Sequence, residues 1–454
     1  MRFAICLLLL LAWVAAPAMV LEHVLSVSLV LMALVFTDFL WHLGKEVRPL
    51  DVLVLSAIVS YLLSPAIMYT LPEDNSWYLG FNVMVIDAEK YFRVAFPGTL
   101  ALMAGVYLPS KDIRIDHKQR LQDIERWLAD NQEVGIKLFW AGVMFTFLVP
   151  VAPSIIRLPF IYGSLLIYAG GLYLFFSGHE ARQPYLIGMF LIPVIKSIRY
   201  GMFTELVFMG MFVMFVLLMK YHVSFLKKIG VAAIGIVILV FLQSIKYEFR
   251  TRTWYDANAS GMGSKATVFQ ELMGDRVSNP ALLFSNAVLS GVLDRTNQGS
   301  LTAMAIRYVP EYEPFARGET IFGAIAASLV PRFLWPDKPK IGGSENMKRF
   351  TGFELEGPTS MDIGQLGDAY VNFGILGGAV FMFFYGWLFN QINAWVFRTS
   401  AGSSPAFLLW IPVIFSGCIQ VETSVLSVFG HLYKIILFYF GVKWVFRNYL
   451  KLEI

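Results

Sequence analysis

Apolar runs of about 17 to 22 residues recur along the chain, near 3–20, 24–42, 50–70, 92–109, 136–153, 158–176, 184–200, 202–220, 229–245, 370–392, 404–421 and 428–446. At 1.5 Å of rise per residue, about 20 apolar residues cross roughly 30 Å of hydrocarbon, so each run predicts a membrane helix. The expected fold is an all-α polytopic membrane protein of about 12 transmembrane helices. Between 246 and 369 the pattern turns polar. This divides the chain into an N-terminal bundle over 1–245, one large loop over 246–369 and C-terminal membrane helices over 370–454. Within the loop, 279–293 and 318–330 are apolar but short for a crossing, and they predict interfacial or re-entrant helices. Residues 110–134 mix charge with Ile113, Ile115, Leu121, Ile124, Trp127 and Leu128 at partly helical spacing, as an amphipathic helix on a membrane surface would.

Composition agrees with the pattern: 57% of residues are hydrophobic, 15% are charged and the mean hydropathy is +0.62, outside the soluble range. Lys and Arg in short loops orient such a chain. Counted from a cytoplasmic Met1, the inner segments carry Lys45 and Arg48, then Lys111, Arg114, Lys118, Arg120 and Arg126, then Lys220, Lys227 and Lys228, and finally Lys443, Arg447 and Lys451. The 71–91 segment, with Glu73, Asp74, Asp87 and Glu89, falls outside, as does Glu422. The large loop is therefore expected to be extracytoplasmic. Arg2, an apolar run and Ala16-Pro17-Ala18 also resemble a secretory signal with a cleavage site, and either reading leaves the rest of the orientation unchanged. Two cysteines, Cys6 and Cys418, both in apolar runs, provide neither a disulfide framework nor a thiolate metal site. The net charge of +4 follows from the cytoplasmic bias, and no nucleic-acid partner is expected.

Basic residues on the outer side are the exceptions to that bias, each translocated and then kept near lipid. They are Arg157, Lys196 and Arg199 on one helix face, Arg250 and Arg252, and in the loop Arg332, Lys338, Lys340, Lys348 and Arg349, offset by Asp337 and Glu345. Such a set suits a phosphate-bearing ligand, through guanidinium forks and ammonium point charges. The same residues also read as headgroup anchors or as simple ion pairs, such as Arg199 with Glu205. Trp335 and Phe350, with Phe333 and Phe353, interleave with these charges as sugar-stacking candidates or as interfacial belt residues. Pro331, Pro336 and Pro339 fix an extended path there. The loop contains no histidine, so a general base is expected among carboxylates: Asp337, Glu345 and Asp368 foremost, with Glu205 and Asp362. Asp368 and Asn372 share a helix face beside Gly374, Gly377 and Gly378, glycines that also suit close helix packing. Metal-ligand spacing, a P-loop and a GxSxG elbow are all missing from the sequence, so no cofactor and no metal are expected.

PRFLWPDKP at 331–339, followed by DIGQLGDAYVNFGILGG at 362–378 entering a membrane helix, resembles the bacterial Wzy-type O-antigen and exopolysaccharide polymerases. The resemblance implies a many-helix fold akin to the GT-C glycosyltransferases. It also implies an inverting transfer of a polyprenyl-pyrophosphate-linked oligosaccharide to another lipid-linked unit, on the outer face of the bacterial inner membrane, beside a flippase and a chain-length regulator. Some members carry Arg followed eleven residues later by Gly, a spacing present here at Arg199/Gly210, Arg250/Gly261, Arg252/Gly263, Arg307/Gly318 and Arg332/Gly343. On this reading Arg157, Lys196, Arg199, Arg250, Arg252, Arg332 and Lys338 hold the donor pyrophosphate. An O-antigen ligase-like transferase, a glycolipid transporter and a non-catalytic membrane component of a polysaccharide export complex are the alternatives. The absence of a loop histidine favours polymerase over ligase.

Overall fold

The structure, a computed structural model, describes residues 2–71, 83–110, 117–221, 223–254, 261–330, 335, 343–355, 361–402 and 404–454. Among the described residues every regular element is helical. Seven helices there are long and apolar enough to cross a membrane: Val24–His42, Leu50–Thr70, Gln132–Val151, Ile156–Phe176, Phe225–Trp254, Gly364–Ala401 and Val425–Leu450. The chain is thus a helical protein of membrane type. The five other expected runs are also helical but shorter, broken or more polar. The run at 3–20 breaks at Ala16, ahead of Pro17, into Arg2–Ala15 and Pro17–Glu22. Thr204–Leu218 is short, and 404–421 becomes a 3-10 turn, Pro405–Trp410, followed by Ile411–Phe415. Ala88–Val106 begins with Glu89, Lys90 and Arg93, and Arg182–Tyr200 carries Lys196 and Arg199.

Ala88–Val106 is the central post, buried almost without interruption from Tyr91 to Val106. It lies against Gly364–Ala401 at backbone distance. A Cβ on Gly105 would fall 2.0 Å from the Phe383 carbonyl oxygen, and one on Gly386 would fall 2.2 Å from the Leu102 carbonyl oxygen. Glycines at facing positions therefore set this crossing, the small-residue packing that apolar helices use where no hydrophobic drive separates lipid from protein.

Gly374 does something else. Gly374 has φ +68° and ψ −161°, a conformation that side chains resist, and it breaks Gly364–Ala401 into a short first segment and a long second one. Asn372, just before the break, ties that first segment to the loop: its side-chain oxygen accepts from the Gly318 N–H at 3.1 Å, where Glu319–Leu329 starts. The loop's predicted apolar pieces appear as a 3-10 turn, Pro280–Phe284, and the short helices Asn286–Thr296 and Glu319–Leu329. A second small core, including Val94, Leu301, Ala305, Met347, Phe350 and Val371, fastens the loop to the central post. The amphipathic segment expected over 110–134 is helical at His117–Asp130, and its residues 111–116 lie outside the described ones.

At the end of the bundle away from the loop, Arg2 pairs with Asp38 and Asp51 and lies 4.8 Å over the Tyr107 ring. Arg120 donates to the Ser400 carbonyl there, and Lys443 to Ser404. The end carrying the loop holds the candidate site.

Candidate functional site

The 420–425 segment is the pivot of the loop end, and four groups fix it. Residues Ile58–Leu63 form a π-helical turn inside the Leu50–Thr70 helix, which turns Tyr61 so that its hydroxyl donates to the Val421 carbonyl at 2.6 Å. Gln365 bonds the same segment twice, from its backbone N–H to Val421 at 3.2 Å and from its side-chain amide to Gln420 at 3.0 Å. Asp368 accepts the Val425 N–H at 2.8 Å, and Asp362 accepts the N–H of Gly343 at 2.6 Å and of Ser424 at 3.4 Å. Ser424 caps Val425–Val445, accepting the Ser427 N–H. Asp362 is mostly buried, and burial raises its carboxyl above the usual carboxylate value while the two N–H donors oppose that rise.

So held, the segment presents Glu422 to a group of cations from other elements. Glu422 accepts from Arg295 at 2.9 Å and from the Gln298 amide at 3.3 Å. Arg295 is carried by Asn286–Thr296, which is pinned from two sides: Gln243 donates to the Gly291 carbonyl at 3.1 Å, and Ser64 donates to Thr296 at 2.9 Å. Lys246 and Arg250, one helical turn apart near the end of Phe225–Trp254, complete the group. Lys246 sits in the field of Arg250, Arg295, Glu422 and Asp294. Arg250 lies 4.5 Å over the Trp254 ring and donates to the Gly201 carbonyl at 3.0 Å. Gly201 takes φ +65° to end Arg182–Tyr200, so this bond fixes the turn into Thr204–Leu218.

That turn is one wall of a cavity of about 440 Å³ that the 420–425 segment reaches through Gln420. Tyr162, Leu165, Phe208 and Met209 supply apolar lining, while Lys196, Glu205, Gln420 and His431 supply polar groups. A cavity with a lipid-like wall and the polar groups of Lys196, Glu205, Gln420 and His431, reached by the segment that carries Glu422, can hold an amphiphile with an anionic head.

The residues singled out in the sequence are distributed unevenly about this place. Arg250 belongs to it, and Lys196 lines its cavity, held by Glu205 at 2.5 Å. Arg199, rather than taking Glu205, lies 5.6 Å over the neighbouring Tyr200 ring, and its carbonyl accepts from Lys265. Arg252 is spent on Glu248 and Glu271. Arg157 is exposed at the start of Ile156–Phe176. Asp368 is 3% exposed; one carboxylate oxygen holds the Val425 N–H, and among the described residues its second oxygen has no hydrogen-bond partner. Glu345 is exposed in the first turn of Ser344–Thr351. Phe350 has no exposed ring face, because it is completely buried in the small core that fastens the loop to the central post, which corrects its reading as a sugar-stacking residue. Trp335 is exposed. Arg332, Lys338 and Asp337 lie outside the described residues.

Sequence reasoning missed Lys246, Arg295 and Gln298, and noted Glu422 only as an outer acid. The signal that could have found Lys246 is its i, i+4 spacing to Arg250.

A family model described as Domain of unknown function (DUF8712) matches residues 47–452. The chain belongs to that family. The match takes in every element of the site described above, from the Leu50–Thr70 helix to Val425–Leu450. No curated protein and no solved structure matches the chain.

Proposed function

We propose that this protein is a membrane-embedded glycosyltransferase that polymerises polyprenyl-pyrophosphate-linked oligosaccharide repeat units on the outer face of a bacterial cytoplasmic membrane. The fold would be GT-C-like, with about twelve crossings. The observation that supports the reading is the pairing of Arg295 with the pinned carboxylate of Glu422, in the field of Lys246 one helical turn from Arg250, on a segment whose Gln420 lines a cavity with an apolar wall. The pyrophosphate lies among the three cations, and the prenyl chain leaves along the apolar side.

An acceptor hydroxyl attacks the anomeric carbon from the face opposite the pyrophosphate. The new glycosidic C–O bond forms as the anomeric carbon–phosphate oxygen bond breaks, inverting the centre, and the hydroxyl proton passes to Glu422. Arg295 exchanges Glu422 for the arriving phosphate, which frees the carboxylate to act as base. Lys246 and Arg250 then stabilise the negative charge that grows on the leaving group, the kind of preorganised contact worth about 10²-fold or more in rate. Glu422 therefore replaces Asp368 and Glu345 as the base, because it alone of these three adjoins the cations.

The test is purified protein in nanodiscs supplied with a lipid-linked repeat unit. The expected product is a ladder of longer lipid-linked chains, slowed about 10²-fold in Glu422→Gln. A glycolipid transporter would move the lipid between leaflets without extending it, and an export-complex scaffold would do neither. An undiminished ladder from Glu422→Gln removes the base assignment; no ladder from the wild-type protein with any supplied repeat unit removes the glycosyltransferase reading.

A further inference from the structure

A second charged cavity, of about 550 Å³, opens at the end of the bundle away from Glu422. Four elements meet there: the end of Val24–His42, the start of His117–Asp130, the end of Thr204–Leu218 and the start of Phe225–Trp254. Lys228 and Lys246 are eighteen residues apart on one helix, so at 1.5 Å per residue about 27 Å separates the two charged regions, close to the thickness of the hydrocarbon layer. Whatever this cavity binds comes from the other membrane face.

Lys45, Lys118 and Lys228 line it. Two of these ammonium groups are brought together by one residue: Lys45 lies 4.4 Å over the Trp41 ring, and Lys228 donates to the Trp41 carbonyl at 3.2 Å. Lys228 feels the charge of Lys45. Lys228 is only 3% exposed, a costly place for a cation, and an ammonium with one bond made still has two N–H donors to direct. Lys228 also stands in the first turn of a thirty-residue helix, where the helix dipole repels cations and attracts anions. The carboxylate lining the cavity, Glu46, is already bonded to Arg48 at 2.5 Å. A buried cation at a helix N-terminus and an exposed one beside it, with the nearby acid committed elsewhere, balance when a doubly acceptor-rich anion joins them. The rim supplies the rest of the ligand: Trp41, Tyr221 and Leu226 are exposed where a lipid would lie.

We propose that this cavity binds the phosphate of an anionic lipid headgroup, with Lys45 and Lys228 as its principal ligands and Lys118 at its edge. Basic pockets between membrane helices take such headgroups by this chemistry. The site is independent of the reaction proposed above.

The test uses the full chain in detergent, titrated with phosphatidylglycerol, with phosphatidylcholine and, separately, with inorganic phosphate, following the unfolding temperature. Phosphatidylglycerol is expected to stabilise the wild-type protein saturably. The midpoint should shift about tenfold upward in Lys45→Gln/Lys228→Met, and less in the exposed single variant Lys45→Gln, which does not disturb a buried group. Lys45→Arg should titrate like wild type. The proposal is overturned if phosphatidylcholine stabilises as well as phosphatidylglycerol, or if both neutralised variants titrate like wild type. Saturation by inorganic phosphate alone, with no added effect of the lipid, overturns the lipid as the source of the anion.

Discussion

Glu422 and Arg295 stand 127 positions apart and meet at 2.9 Å, and this distance in sequence explains why the centre of the site was hard to read there. Charge bias singles out residues one at a time: it found Arg250 and Lys196, both of which the structure brings to the site, and also Arg199 and Arg252, which are occupied locally. It has no means of ranking them, because that depends on which carboxylates fold back onto which cations. Asp362 and Asp368 illustrate the same point. Both were legible as acids near the base of a membrane helix, yet each has backbone N–H partners and serves to hold the 420–425 segment. For Asp362 this gives a measurable sign. Its folded carboxyl takes up a proton at higher pH than the same group in the unfolded chain, so the folded protein binds more protons between the ordinary value of 3.8 and the raised one. Stability must then fall as pH rises through that interval. Unfolding temperatures recorded from about pH 3.5 to 6 are expected to carry this downward component in the wild type and to lose it in Asp362→Asn. An unchanged pH profile in the variant would remove Asp362 as its source.

Helices were the most legible elements, and their irregularities the least. All twelve apolar runs contain helix, since hydrophobic length is a sufficient signal where backbone groups must bond internally. Length alone could not show that Ile58–Leu63 winds as a π-turn, that Gly374 breaks a helix or that Pro405–Trp410 is a 3-10 turn. These departures aim the site: the π-turn directs Tyr61 at Val421, and the first segment before Gly374 carries Gln365 and Asp368 to the same strip of chain. Of the glycines read as packing positions, Gly374 makes the break and Gly377 and Gly378 lie close to Phe373 and Ala369 across it, while the crossing of the two central helices is set by Gly105 and Gly386. A methyl group on Gly386 would lie 2.2 Å from one backbone oxygen and 3.0 Å from the Val106 nitrogen, and neither can yield without parting the two central helices. Gly386→Ala is therefore expected to destabilise by about 1–3 kcal/mol or more, seen as a lower unfolding temperature in detergent. Gly210→Ala, where a Cβ meets nothing within 4 Å, is the matched control and should change little. Equal behaviour of the two variants would mean that the crossing is not set by glycine.

At the scale of the whole molecule the chain has two chemically distinct ends, and their orientation can be measured. One end joins Arg295, Glu422, Lys246 and Arg250, with the loop helices over them. The other joins Arg2, Lys45, Lys118, Lys220, Lys228 and Lys443 through contacts among the N-terminus, the 42–51, 107–110, 117–130, 219–221 and 223–228 segments and the C-terminus. The second end carries more of the lysines and arginines of short connections, which the translocation bias keeps in the cytoplasm. The glycosyltransferase reading needs the first end outside, where flipped lipid-linked sugars are found, and the phosphate-headgroup cavity then faces the inner leaflet, which is rich in anionic lipid. Native thiols give little background, since Cys6 and Cys418 are both buried. Tyr312, 65% exposed in the loop, and Tyr449, 70% exposed near the C-terminus, are suitable places for single cysteines. In cells with an intact cytoplasmic membrane, a membrane-impermeant maleimide should label Tyr312→Cys at once and Tyr449→Cys only after that membrane is opened. The reverse pattern would put Glu422 and its cations in the cytoplasm, away from any extracytoplasmic acceptor, and the polymerase reading would fall with it; the headgroup cavity would remain, facing the outer leaflet instead.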